Sequence, residues 1–549
     1  ADTDNTWTIN GSNSGDLNGL GFSGFENLTG GSAADTLVGA DTDNTWTING
    51  SNSGDLNSLG FSSIENLVGG SATDTLVASN ADNIWKITGQ DAGTLNGLVF
   101  SNVENLLGGD GADWFQFLGG TISGLIDGGA GENTFDYADA IAGIMVDLGL
   151  ATATGAAQFA NLSKLTGSAH EDTLTGPNTA NDWNVTGANA GDVGGLTFTG
   201  IEKLIGGSAT DDFIVGPDGS LSGMLSGGGG DDSLTGPDAA NAWQVTDADA
   251  GTLNGLVFTA IETLIGGLQQ DEFSMLLAGF MTGGIVGRAG SDRLRGADQR
   301  DNRWLITGTN SGQLNGSNFS GIEYLEGGNL ADEFVMSDGG SLTGDLDGQA
   351  GDDTLTGPDA DTTWNVTGAG SGAVAGIAFS AIENLVGGAE DDTLTIDATS
   401  IGTTAEPLFS FEGGSGNDTI RGPTGNTDWL VTGSNAGSIG TFEFSDVENL
   451  MGSSENDTLT GPDADTTWNV TGAGSGEVAG ITFSAIENLI GGAKDDTLTI
   501  DATSIGTTAE PLFSFEGGSG SDTIRGPTGN TDWLVTGSNA GSIGTFEFS

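Results

Sequence analysis

Aspartate recurs behind glycine-rich turns throughout this 549-residue chain, at spacings that suit the sharing of a cation. The pattern Gly-Gly-x-Gly-x-Asp ends at Asp113, Asp232, Asp418 and Asp522, and variants of it end at Asp292, Asp353 and Asn133. Many of these aspartates have a second one upstream. Asp211 and Asp232 are 21 residues apart, as are Asp271 and Asp292, and Asp332 and Asp353; Asp392 and Asp418, and Asp496 and Asp522, are 26 apart. Hard cations take six to eight oxygens, and a glycine-rich turn exposes carbonyls while aspartate adds charge. Asp113, Asp211, Asp232, Asp271, Asp292, Asp332, Asp353, Asp392, Asp418, Asp496 and Asp522 are therefore the candidate metal ligands. A second reading stands beside this one: tight turns held by hydrogen bonds from backbone to aspartate side chains. It is preferred for Asp35, Asp74 and Asp457, which have no aspartate partner one coil on.

Other recurrent side chains suggest less chemistry. Glu26, Glu65, Glu104, Glu202, Glu262, Glu323, Glu383, Glu448 and Glu487 hold one repeat position and read as a solvated strand position rather than a touching acidic ladder. Ten tryptophans, among them Trp7, Trp46, Trp85, Trp183, Trp304 and Trp364, share one context. Trp183 and Val185 are two apart and so point the same way on a strand, which favours core packing over a sugar-binding platform. Five of the eleven basic residues, Arg288, Arg293, Arg295, Arg300 and Arg303, fall within sixteen residues and read as local neutralisation of nearby acids. Arg288 also replaces the second glycine of its turn. Acids recur evenly, and His170 is the single histidine. Acid–base catalysis needs a cluster, so no enzyme is expected.

The elements that place these residues follow from the tryptophan spacings. Successive differences are 39, 39, 98, 60, 61, 60, 65, 39 and 65, close to whole multiples of twenty. Fixed-period self-similarity marks a solenoid. The reading is an all-β, parallel β-solenoid of about 20 residues per coil over residues 1–549, with two-coil (39-residue) and three-coil (60–65-residue) repeats. Within a repeat, Trp183-Asn184-Val185-Thr186-Gly187 and Leu196-Thr197-Phe198-Thr199-Gly200 alternate apolar and polar residues, then turn at glycine. Such runs are short strands, and no stretch has a capped helical period. Residues 359–445 recur almost unchanged at 463–549, offset by 104.

Composition narrows the class. Acids outnumber bases 76 to 11, a formal charge of −65. Nucleic acid and anionic lipid are unsuitable partners, while cations are attracted. Cysteine is absent, which removes disulfide chemistry and most zinc chemistry. The most apolar stretch, near Ala140 to Leu150, carries Asp147 and several glycines, so no membrane span is expected. The chain opens and closes within a repeat, which suggests a slice of a longer protein.

The glycine-rich turns resemble the nonapeptide of the hemolysin-type calcium-binding (RTX) repeat family. The text around them, such as Asp172-Thr173-Leu174-Thr175-Gly176, is similar too, and the likeness runs along most of the chain. The resemblance implies a right-handed parallel β-roll, calcium between successive turns, and a place in a large exported protein or adhesin. The chain departs from that family in its longer coil and in first turns that lack the third glycine, such as Gly206-Gly207-Ser208-Ala209-Thr210-Asp211. The function expected is a structural, extracellular or cell-surface fibre, stalk or surface-layer spacer whose partners are like rods or matrix components. The alternative is a binding or secretion module, calcium-dependent or polysaccharide-binding, attached to an enzyme or adhesin tip outside this chain.

Overall fold

The computed structural model describes residues 3–397, 409–501 and 513–549. All helical or extended elements among them are β-strands. They form a parallel β-solenoid with about 30 residues per turn. Two compact units are present, Ala1–Asn241 with Asp249–Leu268, and Ala242–Ala248 with Gln269–Ser549.

The expected pitch of about 20 is corrected by one feature. Each tryptophan strand opens an antiparallel meander that lies within one sheet. In the repeat that starts at Trp46, strand Thr45–Gly50 pairs with Ser53–Leu56, which pairs with Leu59–Ser62. The chain then crosses to the other sheet as Asn66–Val68 and returns as Thr75–Val77. There Leu76 pairs in parallel with Trp46, 30 residues back. A turn without a meander is shorter: Phe115 pairs with Phe135, and Phe213 with Leu234. Twenty residues is thus the length of a plain turn, and a meander adds about ten. On this pitch a 39-residue repeat crosses between sheets three times and a 60-residue repeat five times. Both counts are odd, so consecutive repeats place their tryptophan strands on opposite sheets. In the second unit Trp304, Trp429 and Trp533 lie on one sheet, and Trp364 and Trp468 on the other.

Local sequence explains the meander. Asn96-Gly97, both at positive φ (50° and 94°), form the two-residue hairpin loop that suits strand twist. Gly93 faces Phe100 across the hairpin, and a Cβ there would collide with the Phe100 ring and Lys86 O. The glycine makes room for the ring, which meets Trp85 edge-on at 6.1 Å.

The core follows the alternation. Trp183, Val185, Phe198, Ile201 and Leu204 are all buried, and Trp183 stacks on Phe213 of the next turn at 5.3 Å. Aromatic contact adds to burial here. Trp114, the eleventh tryptophan, is on the outer face, because Phe115 and Phe117 take the inward positions of its strand. Trp533 is also exposed; the turn that covers the other members of the series would fall beyond Ser549. No helix is long and apolar enough to cross a membrane among the described residues.

Replacing Trp183 with Ala should destabilise the surrounding turns by about 3–5 kcal/mol, the usual cost of emptying an aromatic site. Denaturant unfolding of the full chain would show it. Predominantly water-exposed tryptophan fluorescence in the parent would overturn the inward assignment.

Candidate functional site

The aspartates sit at the corners, immediately before a strand. A corner leaves backbone N–H groups that neighbouring turns cannot pair, and a buried N–H must find an acceptor. An ionised carboxylate has two acceptor oxygens and no donor. Asp74 shows how they are used. It is fully buried. Its Oδ2 accepts the Gly70 N–H at 2.6 Å. Its Oδ1 accepts both the backbone N–H and Nδ2 of Asn44, one turn back, at 2.8 and 2.7 Å. Its own N–H donates to Glu104 Oε2, one turn on, at 2.7 Å. The result is a ladder, Asn44–Asp74–Glu104, with 30-residue steps.

The same ladder recurs in the other short repeats, as Asn5–Asp35–Glu65 and Thr427–Asp457–Glu487. Longer repeats add a second aspartate. They give Asn302–Asp332–Asp353–Glu383 and Thr362–Asp392–Asp418–Glu448. Asn181–Asp211–Asp232–Glu262 is built alike. Asp271 donates to Asp292 and Asp292 to Glu323; Thr466, Asp496 and Asp522 form a further run. Asn83, Asp113 and Asn133 form one that ends in an amide. The glutamates close these ladders, and their free oxygens accept meander-turn amides: Asn52 to Glu65 at 2.9 Å, Asn310 to Glu323 at 2.7 Å. The solvated reading of the glutamate series is thereby corrected. A constant Asp-to-Glu spacing of 30, from Asp35/Glu65 to Asp457/Glu487, was the signal that could have found it.

Every ladder carboxylate demands a glycine five residues earlier. A Cβ on Gly69 would fall on Asp74 Oδ2 and Asn102 O, and Gly206, Gly327 and Gly452 are equally confined. The residue four before the aspartate then divides the ladders into two kinds. Gly70, Gly207 and Ser453 have ordinary φ and donate their N–H to the carboxylate. Gly228, Arg288, Gln349, Gly388, Gly414 and Gly492 have φ of +97°, +72°, +72°, +154°, +94° and +141°. At the six aspartates that follow them (Asp232, Asp292, Asp353, Asp392, Asp418 and Asp496), Oδ2 is buried with no hydrogen-bond partner.

Electrostatics follow the same division. Burial, with Glu262, Asp211 and Asp231 nearby, pushes Asp232 up to about 6. Burial with Asp332, Glu383 and Asp352 takes Asp353 to about 7, and burial with Asp418, Asp361 and Asp391 does the same for Asp392. Asp292 and Asp496 reach about 6, and Asp418 is also raised, all chiefly by burial. Burial raises Asp113 and Asp332 as well. At Asp35 burial pulls upward too, but hydrogen bonds from Gly31 and Asn5 outweigh it and hold the group low.

The sequence-predicted pairs are neighbours on adjacent turns. All of the candidate ligands are buried except Asp522. Each pair is joined, however, by a backbone N–H to Oδ1 bond: Asp211 to Asp232 at 2.7 Å, Asp271 to Asp292 at 2.8 Å, Asp332 to Asp353 at 2.7 Å, Asp392 to Asp418 at 2.7 Å and Asp496 to Asp522 at 3.0 Å. The oxygens that would converge on one ion are spent on N–H donors. Among the described residues no three His, Cys, Asp or Glu side chains gather into a metal-holding group. This donor set does not fit an ion that takes six to eight oxygens.

The arginine window pairs with acids. Arg293 meets Glu326 at 3.0 Å and lies over the Tyr324 ring, Arg295 meets Asp298 at 2.9 Å, and Arg303 meets Glu333 at 2.8 Å. No protein-family model matches the chain, and no curated protein matches its sequence.

Asp74→Ala should strand the donors of Gly70 and Asn44, at about 1–3 kcal/mol for each orphaned donor. Gly69→Ala should also lower the unfolding midpoint, through collision rather than lost bonding. Two variants as stable as the parent would refute the ladder as a structural support.

Proposed function

We propose that this chain is a structural repeat region, a spacer or stalk of an extracellular or cell-surface protein, with no enzymatic role. The observation that carries the reading is the ladder. Repeat after repeat, the buried polar side chains are committed to joining one turn to the next, and no repeat departs from this to gather acids, bases or nucleophiles. Stability in such an architecture is a sum of repeat and neighbour terms, so length can change without loss of folding. The −65 charge favours solubility and opposes collapse of like chains onto one another. A chain without cysteine needs no oxidative folding, which suits export.

Deleting residues 359–462 joins Pro358 to Asp463 and so restores the native Gly-Pro-Asp junction. The shortened chain should keep its unfolding midpoint and strand signal per residue, while its longest dimension in solution scattering falls in proportion to the residues removed. Global unfolding of the deletion variant would show that the region acts as one indivisible domain, and the spacer reading would fail.

A further inference from the structure

The orphaned Oδ2 atoms have a natural comparator in the same chain. Asn133 occupies the ladder position behind Gly129, which has φ +78°, the left-handed kind of turn. Its Oδ1 accepts the Asp113 N–H at 3.0 Å, as an aspartate Oδ1 does elsewhere. Its Nδ2 takes the place of the orphaned oxygen and donates to Asn161 O of the next turn at 3.0 Å, with longer contacts to Ala130 O at 3.2 Å and Gly129 O at 3.4 Å. A Cβ on Gly128 would fall on both Asn133 Nδ2 and Asn161 O.

The six aspartates reproduce this arrangement. A Cβ on Gly227 would fall on Asp232 Oδ2 and Ala260 O; on Gly287, on Asp292 Oδ2 and Gly321 O; on Gly348, on Asp353 Oδ2 and Ala381 O. Gly387 is flanked by Asp392 Oδ2 and Gly413 O, Gly413 by Asp418 Oδ2 and Asp446 O, and Gly491 by Asp496 Oδ2 and Gly517 O. Where the amide presents a donor to a carbonyl, the carboxylate presents a second acceptor. A slot of this kind is satisfied by a group that donates.

We propose that Asp232, Asp292, Asp353, Asp392, Asp418 and Asp496 are neutral carboxylic acids whose Oδ2–H donates to the next turn's carbonyl, as Asn133 does, so that the left-handed turns form a proton-held ladder beside the ionised ladder of the short repeats. Ionisation sends the proton to solvent and leaves two acceptors facing each other. The surroundings oppose that ionisation. Asp232 faces Asp211 and Glu262 from adjacent turns and Asp231 on its own; Asp292 faces Asp271 and Glu323; Asp353 faces Asp332 and Glu383, with Asp352 beside it. Asp392 faces Asp361 and Asp418, with Asp391 beside it; Asp418 faces Glu448, Asp391 and Asp446; Asp496 faces Asp465 and Asp522. No cation is among these neighbours.

The sign follows from linkage. The folded-state values of about 6 to 7 at the five aspartates with a resolved value lie above the ordinary 3.8, so the folded state binds more protons over that interval. The contribution is whole below about pH 4, is lost as pH rises to about 7, and is constant above. Single substitutions separate the two ladders. Asp353→Asn replaces the acid by its isosteric donor; it should raise the unfolding midpoint of the full chain at about pH 8 and leave it unchanged at about pH 5. Asp74→Asn sets an amide donor against the Gly70 N–H and should lower the midpoint at both. Measurements are made in chelator at fixed ionic strength. The infrared band of protonated carboxyl groups should be present in the parent at about pH 5.5 and reduced in a variant carrying asparagine at all six positions. Absence of that band from the parent, or an Asp353→Asn midpoint lowered at both pH values, overturns the proposal. So does stabilisation of the parent by added calcium at about pH 8 that Asp353→Asn abolishes, since a cation would then own the slot.

Discussion

Everything in this fold depends on what happens to the backbone N–H groups at the corners. Strands within the sheets satisfy one another along the winding direction, but a corner has no ladder of its own, and it is buried. The chain answers with carboxylates. Each oxygen of Asp74 replaces a main-chain carbonyl that the geometry cannot supply. Because the aspartate's own N–H then needs an acceptor, the requirement passes to the next turn, where Glu104 meets it. The acidity of the chain is thus partly structural. A large share of the corner chemistry is built from acceptor-only side chains, and their charge comes with them.

Much of this was legible in the sequence, in uneven measure. Alternation around Trp183 and Val185 placed both side chains inward, and the 21- and 26-residue aspartate spacings correctly marked neighbours on adjacent turns. The pitch was misjudged because a whole-number spacing was read as winding alone. Asn96-Gly97 between two short apolar runs is a strong hairpin signal, and it pointed to antiparallel strands inside a parallel solenoid. The ladder partners were hidden for a different reason. An asparagine, an aspartate and a glutamate 30 residues apart share no motif; they share an axis, and only the fold brings Asn44, Asp74 and Glu104 together.

Glycine has two separate uses at these corners. The glycine five before the aspartate is needed for space, since carboxylate and carbonyl both press on its Cα. The residue four before chooses between two hydrogen-bonding outcomes through its φ. With ordinary backbone the N–H turns toward the carboxylate; in the left-handed region it turns away. That Arg288 and Gln349 occupy this region at +72° shows that the conformation is imposed by the turn and not merely permitted by glycine. A pattern resembling a metal-binding consensus can therefore arise from steric and hydrogen-bond requirements alone.

The alternation of tryptophan strands between sheets has a consequence for how such a chain can lengthen. Each repeat reverses the side on which its meander is displayed, so one added repeat turns everything downstream to face the opposite way. A pair restores the original heading. The near-exact duplication in this chain joins one 65-residue and one 39-residue repeat, and it carries Trp364 to Trp468 on the same sheet and Trp429 to Trp533 on the other. Growth by twos extends the winding without rotating whatever its far end presents. Growth by ones would act as a half-twist, changing direction at the cost of only a few dozen residues.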